Sequence, residues 1–293
     1  IVTVRYRGGV IMGESINGRA VAAKYKENIK AFTDSLLKAG KRIPCIAAII
    51  VGEDGGSHYY LNNVKKLCSE LGVHTEVHIK NDSIKEEELC LLIAKLNNDE
   101  KVDGIMLFLP LPKHIDEKKV TSLISHKKDI DCLTDINNGK FYKGEISFVP
   151  CTPLSVLNLI KSTGVELTGK RAVVIGRSNI VGKPTAQLLL NENCTVTICH
   201  SKTSNLKQIC SEADILISAI GRPLMINEEY VKEGAIVIDV GTTSVNGKIT
   251  GDVQYEKVIE KAAFVTPVPG GVGALTTTML INNVCEAYKR NVY

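Results

Sequence analysis

No stretch of this 293-residue chain approaches the roughly 18 consecutive apolar residues that a membrane span needs. Its opening, Ile1 to Gly13, lacks the apolar core of a signal peptide, because Arg5, Arg7 and a glycine pair interrupt it. That opening reads as a leader remnant, with Met12 the natural start. There is no basic run and no aromatic-interleaved patch, and the net charge is only +4, so nucleic acid is not an expected partner. No C-x-x-C pair occurs among the nine cysteines, which are odd in number and scattered singly. That usage argues for reduced thiols and a cytoplasmic setting. No metal is expected: the spaced pair His74 and His78 falls in a surface strand pattern without a further ligand set. Repeats and low-complexity segments are absent too. The chain has the composition of a globular protein, 44% hydrophobic and 23% charged, and is long enough for two medium domains.

The elements alternate. Val21 to Lys38 has helical amphipathic spacing, and Ile43 to Val51 is an apolar strand closed by Gly52 and a turn over residues 53–56. Ser57 is a suitable N-cap for a helix to about Leu71, with Gly72 as its C-cap. Val73 to Ile79 alternates as a strand does, and Ser83 with Glu86 forms a capping box for a helix to about Asn97. Gly104 to Leu109 is a buried strand stopped by Pro110-Leu111-Pro112, followed by a short helix and the loop Asp129-Ile130-Asp131. After Pro150-Cys151-Thr152-Pro153 a helix spans Leu154 to Ser162. Strands recur near 172–175, 195–199, 214–219, 235–240 and 263–266, with helices between the first four. This rhythm predicts an α/β fold of two domains with parallel sheets covered by helices. Residues 1–150 form the N-terminal domain, on which a last helix (276–293) packs back, and residues 151–275 form a Rossmann-like domain with a parallel sheet.

The most informative stretch is Ala172 to Pro184. A β-branched run ends at Gly176 and leads through Gly182 into a helical pattern. Such a turn offers backbone N–H groups and a helix N-terminus to an anion, as where a dinucleotide's pyrophosphate sits. The pattern departs from G-x-G-x-x-G: Ser178 replaces the second glycine, and Gly182 comes one residue late. Where the next strand ends, NAD enzymes carry an acid for the ribose hydroxyl, yet this chain has His200-Ser201-Lys202. With Arg177 on the glycine turn, these cations and hydroxyl suit a ribose 2′-phosphate, which favours NADP over NAD.

Several strings coincide: Tyr60 three residues after Ser57; Leu109-Pro110-Leu111-Pro112; Lys128-Asp129-Ile130-Asp131; Pro150-Cys151-Thr152-Pro153; Gly176-Arg177-Ser178 with Val181-Gly182; His200-Ser201; and Thr266 to Gly273. Together they resemble the methylenetetrahydrofolate dehydrogenase/methenyltetrahydrofolate cyclohydrolase family, from about Ile16 to Tyr288. The resemblance implies a folate-binding catalytic domain, an NADP domain, a cleft between them and a homodimer built through the nucleotide domains. It implies that Tyr60 lines the folate site, that Asp131 hydrogen-bonds the pterin, and that Pro269 and Gly273 belong to a loop closing on substrate and nicotinamide. It further implies cofactor contacts at Gly176, Arg177, Ser178 and Ser201.

Two positions depart from that pattern. Bifunctional members carry a lysine four residues after the tyrosine and a glutamine before Leu-Pro-Leu-Pro, where this chain has Val64 and Phe108. Lys65 and Lys66 point round the helix, away from the Tyr60 face, and do not replace the lysine. Cys132 stands where glycine is usual, and Ala274-Leu275 replace proline and methionine. Hydride transfer relies on the coenzyme and on geometry, whereas hydrolysis needs water activated and protons moved. The expectation is an NADP-dependent methylenetetrahydrofolate dehydrogenase with cyclohydrolase activity reduced or lost. The alternatives are a silent nucleotide- and folate-binding protein, or an NADP dehydrogenase of another small substrate.

Overall fold

The computed structural model describes residues 5–7 and 10–292. They form two compact units: Lys24–Cys151 with the chain from Thr277 on (the first unit), and the chain up to Ala23 with Thr152–Thr276 (the second). In chain order the elements begin with a hairpin of β1 (Arg5–Arg7) and β2 (Val10–Met12), then β3 (Glu14–Ser15) and helix α1 (Gly18–Lys38). There follow β4 (Cys45–Val51), α2 (Gly55–Leu71), β5 (His74–Lys80), α3 (Glu86–Asn98), β6 (Gly104–Leu107), α4 (Glu117–Ser122) and α5 (Asp135–Lys143). Next come α6 (Cys151–Ser162), β7 (Arg171–Ile175), α7 (Gly182–Asn191), β8 (Thr195–Cys199), α8 (Leu206–Ser211) and β9 (Ile215–Ser218). After a 3-10 turn at Glu228–Tyr230 the chain ends with β10 (Ile236–Asp239), β11 (Thr243–Val245), β12 (Lys248–Thr250), α9 (Tyr255–Val258), β13 (Phe264–Val265) and α10 (Val272–Val292).

The second unit holds a six-stranded sheet in the order β3-β13-β10-β9-β7-β8, with every pairing parallel. Counting from β7, the strand order is 2-1-3-4-5, a doubly wound sheet whose direction of winding reverses between β7 and β9. Ligands of such sheets bind outside the carboxyl ends of the strands at that reversal. One expectation changes here. The opening stretch, assigned above to residues 1–150 of the N-terminal domain, belongs with the second unit, because β3 pairs with β13 through Glu14–Phe264 and Ser15–Val265. A second change is the connection from β9 to β10, which is the 3-10 turn rather than a helix. Ile226 is drawn into a parallel bridge with Val253, and the Asn227 side chain accepts the Glu229 N–H.

The first unit is a three-stranded parallel sheet, β5-β4-β6. Central β4 is apolar on both faces, as a covered parallel strand must be, and Ile46 to Ile49 are 0% exposed. Cys45, Ala47 and Ile49 cluster with Leu89, Ile93 and Leu96 of α3, whereas Ala48 and Ile50 meet Leu61 of α2 and Phe108. Two caps differ from expectation. Asp54 rather than Ser57 caps α2, because its carboxylate accepts the Ser57 N–H at 2.7 Å. The box of Ser83 and Glu86 does not form: Ser83 bonds Asn81, and Glu86 accepts from Asp116 N–H and Lys119.

An ion pair between a half-buried arginine and a buried carboxylate ties this unit together. Asp103, 1% exposed, takes both arms of the Arg42 guanidinium at 2.7 and 2.8 Å and the Cys45 N–H at 2.8 Å. The guanidinium also lies 4.5 Å from the ring centre of Tyr288 on α10. Removing the buried carboxylate strands the Cys45 N–H and leaves the guanidinium unpaired at a half-buried position. Asp103→Ala is expected to destabilise this unit by about 3 kcal/mol, read from its urea midpoint, with Asp103→Asn costing less. Equal midpoints for wild type and Asp103→Ala would discount the pair.

Candidate nucleotide and substrate sites

In the second unit β7 delivers Gly176 to the reversal point. Its φ is +128°, and a Cβ there would lie 2.4 Å from the Ala219 carbonyl oxygen that follows β9. A Cβ on Gly182 would lie 2.2 Å from the Gly176 carbonyl oxygen. Both positions therefore demand glycine.

The N-terminal donors of α7 are met from within the turn. The Ser178 hydroxyl oxygen accepts the N–H groups of Val181 and Gly182, both at 3.2 Å, and the Ser178 carbonyl accepts Lys183 N–H at 3.1 Å. Pro184 has no N–H to offer, so the first turn of α7 is already satisfied. The donors left without a partner among the described residues are the loop N–H groups of Arg177, Ser178, Asn179 and Ile180. Ser178 thus stands at the second glycine position as a cap.

Beside this turn is a cavity of about 270 Å³ whose walls include Gly176 and Arg177 after β7, His200 and Ser201 after β8, and Ile220 and Arg222 after β9. Lys202 is exposed, and its N–H donates to the His200 ring at 3.1 Å. Pro269 and Gly273 are exposed at the start of α10, where Gly270 has φ +111° and its carbonyl accepts the Gly18 N–H. The wall after β9 rests on two buried carboxylates that sequence reasoning missed. Asp252, 0% exposed, accepts from the Ser218 hydroxyl and the N–H groups of Ile220 and Arg222. Asp239, 2% exposed, accepts the N–H groups of Gly241, Asp252 and Val253. No motif advertised them: Asp239 ends an apolar strand, and Asp252 lies in the loop after β12.

In the first unit Tyr60 is half-buried on α2, its ring edge-on to Phe108 with centres 6.0 Å apart. Its hydroxyl bonds Thr277 of α10, and burial pushes the phenol well above its ordinary value, so it stays neutral. Val64, one helical turn on, is 0% exposed, and Phe108 is 8% exposed in a cluster with Ala48, Ile50 and Leu61.

Asp131 is half-buried, and burial raises its pKa. One oxygen accepts the Cys151 N–H at 2.9 Å. The loop that carries it is folded by Asp129, which accepts from Leu133 N–H, the Thr134 N–H and hydroxyl, and the Asn137 amide. Asn283 of α10, also missed, donates to the carbonyls of Ile130 and Val149. An amide on an otherwise apolar helix face was its only signal. Cys132 adopts φ 57°, the left-handed region that explains why glycine suits this position. The thiol of Cys151 is buried and its pKa raised by desolvation, which makes it a packing group rather than a nucleophile. His74 and His78 lie on β5, and no group of three or more ligating side chains that could hold a metal occurs among the described residues. Nor is any described helix long and apolar enough to cross a membrane.

A doubly wound sheet with a glycine turn at its reversal, joined in one chain to a second α/β unit with a three-stranded parallel sheet, defines a two-domain protein of the dinucleotide-binding class. The chain belongs to the tetrahydrofolate dehydrogenase/cyclohydrolase family, whose catalytic domain matches residues 16–131 and whose NAD(P)-binding domain matches residues 150–292. It is 65% identical over 278 residues to the bifunctional protein FolD of Clostridium acetobutylicum, covering 95% of this chain and 100% of that one. Among solved structures it is similar to the FolD methylenetetrahydrofolate dehydrogenase/cyclohydrolase of Campylobacter jejuni, with TM-score 0.92 and 42% identity over 94% of this chain and 99% of that one. The Trypanosoma brucei dehydrogenase-cyclohydrolase, solved with NADP and an inhibitor, gives TM-score 0.92 and 37% identity over 96% and 99%.

Asp239 makes a pH prediction. Burial, aided by the neighbouring Asp252 carboxylate, raises it from 3.8 to about 6. The folded state therefore holds this proton more tightly than the unfolded chain does. Its contribution must fall as pH rises between about 3.8 and about 6 and stay flat above. Ionised Asp239 costs on the order of 3 kcal/mol. Urea midpoints of wild type and Asp239→Asn across pH 4.5–7.5 should differ in slope, the variant lacking this acid-stabilised component; parallel profiles would refute it.

Proposed function

We propose that this chain is an NADP-dependent methylenetetrahydrofolate dehydrogenase whose cyclohydrolase activity is strongly reduced or lost. Carrying the reading is one contrast within the chain: the nucleotide turn is complete, while the two positions of proton-handling chemistry are buried hydrocarbon. The folate and NADP named for its relatives support the substrate and coenzyme.

The glycine turn fits the coenzyme, because side chains are excluded at Gly176 and Gly182 and four loop N–H groups have no partner among the described residues. NADP, when bound, supplies the acceptor for the hydride leaving the one-carbon bridge. Residues 177–180 would hold the pyrophosphate through their N–H groups, with Arg177, His200, Ser201 and Lys202 toward the ribose phosphate. Tyr60, neutral and aromatic, would line the folate and donate from its hydroxyl, and Asp131 would accept from the pterin's amino-pyrimidinone edge. Pro269 and Gly273 would form the loop that covers substrate. Residues 24–150 with the last helix carry the folate role and 151–275 the coenzyme role.

Hydride transfer needs orientation, which this set supplies. Hydrolysis of the methenyl product needs a group that takes a proton from water. Val64 has none, and Phe108 covers Tyr60 with a ring edge rather than an amide. Family membership and the complete nucleotide turn do not favour a silent binding protein or another substrate. Nine free cysteines support a cytoplasmic setting. The exposed edge strand β8, with Ile198 40% exposed, supports a homodimer through the second unit; sedimentation showing a single chain would exclude that.

The test measures methenyltetrahydrofolate hydrolysis, corrected for the spontaneous rate, alongside NADP reduction by methylenetetrahydrofolate. Reduction with little added hydrolysis is expected; comparable rates would overturn the reading, and no reduction of either nicotinamide coenzyme would end it. Val64→Lys alone is expected to cost about 2–4 kcal/mol, because an ammonium is forced into a dry site. The pair Val64→Lys with Phe108→Gln should regain stability and hydrolysis together.

A further inference from the structure

We propose that Arg222 is a second guanidinium that recognises the phosphate on the coenzyme ribose, lining the same cavity as Arg177, and that it owes its position to Asp252. This inference rests on the NADP reading above and extends it to a residue that no sequence motif marked.

Arg222 and Arg177 line the same cavity, and no carboxylate lines it with them. Neither guanidinium has a hydrogen-bond or ion-pair partner among the described residues. Elsewhere in this unit surface cations do find acids: Arg171 pairs with Glu212 at 3.2 Å, Lys161 with Glu192 at 2.6 Å and Lys232 with Asp214 at 2.6 Å. Two unpaired cations facing one small acid-free space repel each other, and that repulsion is relieved by an anion. The pyrophosphate does not need them, since the N–H groups of residues 177–180 stand ready for it. A phosphate monoester near the ribose carries close to two negative charges, and two planar forks match that charge and its oxygens.

The placement of Arg222 is built. Its N–H donates to one Asp252 oxygen at 2.8 Å, and the Ile220 N–H donates to the other at 3.0 Å. The Ser218 hydroxyl holds the same carboxylate at 2.9 Å, and the Ala219 N–H bonds the Ile175 carbonyl at 2.8 Å. The backbone under Arg222 is thus fixed to β7 and to a fully buried acid, while its side chain is exposed toward the cavity. Asp252 is a positioning residue.

The test uses coenzyme fragments on the intact chain: adenosine 2′,5′-bisphosphate, which carries the ribose phosphate, and 5′-AMP, which lacks it. Wild type should prefer the bisphosphate. Arg222→Gln should weaken bisphosphate binding about tenfold, and 5′-AMP by less than about twofold, with a shallower salt dependence for the bisphosphate. Arg222→Lys should recover part of the loss, because it keeps the charge and lacks the fork. If wild type prefers the bisphosphate and Arg222→Gln keeps the same ratio, Arg222 has no such role and the NADP reading survives. Equal weakening of both fragments would likewise exclude phosphate recognition. A wild type indifferent to the extra phosphate would remove the NADP reading itself.

Discussion

The backbone of the second unit closes on itself where β7 and β9 end, and much else follows from that close approach. With Gly176 against the Ala219 carbonyl and Gly182 against the Gly176 carbonyl, no side chain fits between turn, helix and neighbouring strand. Once α7 is seated that tightly, its first donors have no room for a ligand and are closed by Ser178 and by Pro184. The donors without a partner among the described residues lie in the preceding loop, residues 177–180. The unusual spacing of the glycines therefore goes with a helix that is anchored and a loop whose donors point elsewhere than into it.

The first unit shows the same logic applied to chemistry. Its parallel sheet leaves the carboxyl end of β6 beside α2, which brings Phe108 onto Tyr60. At that junction two hydrocarbon groups extend the core up to the tyrosine, so the phenol is desolvated and held neutral. Asp131 survives at a half-buried position because the N-terminus of α6 shares its charge. On the reading proposed above, an orienting carboxylate and a neutral aromatic donor would hold a heterocycle, with neither an ammonium at 64 nor an amide at 108 beside them.

How far the chain was legible varies with the kind of signal. Strands β4, β7 and β9 declared themselves through β-branched runs, and the glycine turn through Gly176 and Gly182. Tyr60, Asp131, Val64 and Phe108 came from motif resemblance, and the resemblance could not say that Val64 would be wholly enclosed. Caps were less legible. Ser57 and Ser83 both looked like helix starts, yet α2 begins before Ser57, whose own N–H goes to Asp54, and Ser83 donates its N–H and hydroxyl to Asn81. Least visible were Asp252, Asp239 and Asn283, because each serves residues distant in sequence, and local spacing carries no trace of such bonds. The allotment of β3 to the far sheet was hidden for the same reason: a two-residue strand has no period to read.

Two tasks that the proposed coenzyme would impose fall differently on the sheet. The turn that would grip the pyrophosphate, shared by every dinucleotide, hangs from β7, which has hydrogen-bonded neighbours on both sides. The His200-Ser201-Lys202 loop, which would tell one ribose from another, hangs from β8, the outermost strand with a single neighbour. On the reading proposed above, grip is confined to the β7 turn, whereas discrimination is spread over the turns after β7, β8 and β9, through Arg177, His200-Ser201-Lys202 and Arg222. A lineage exchanging one nicotinamide coenzyme for another would therefore have to alter three loops together.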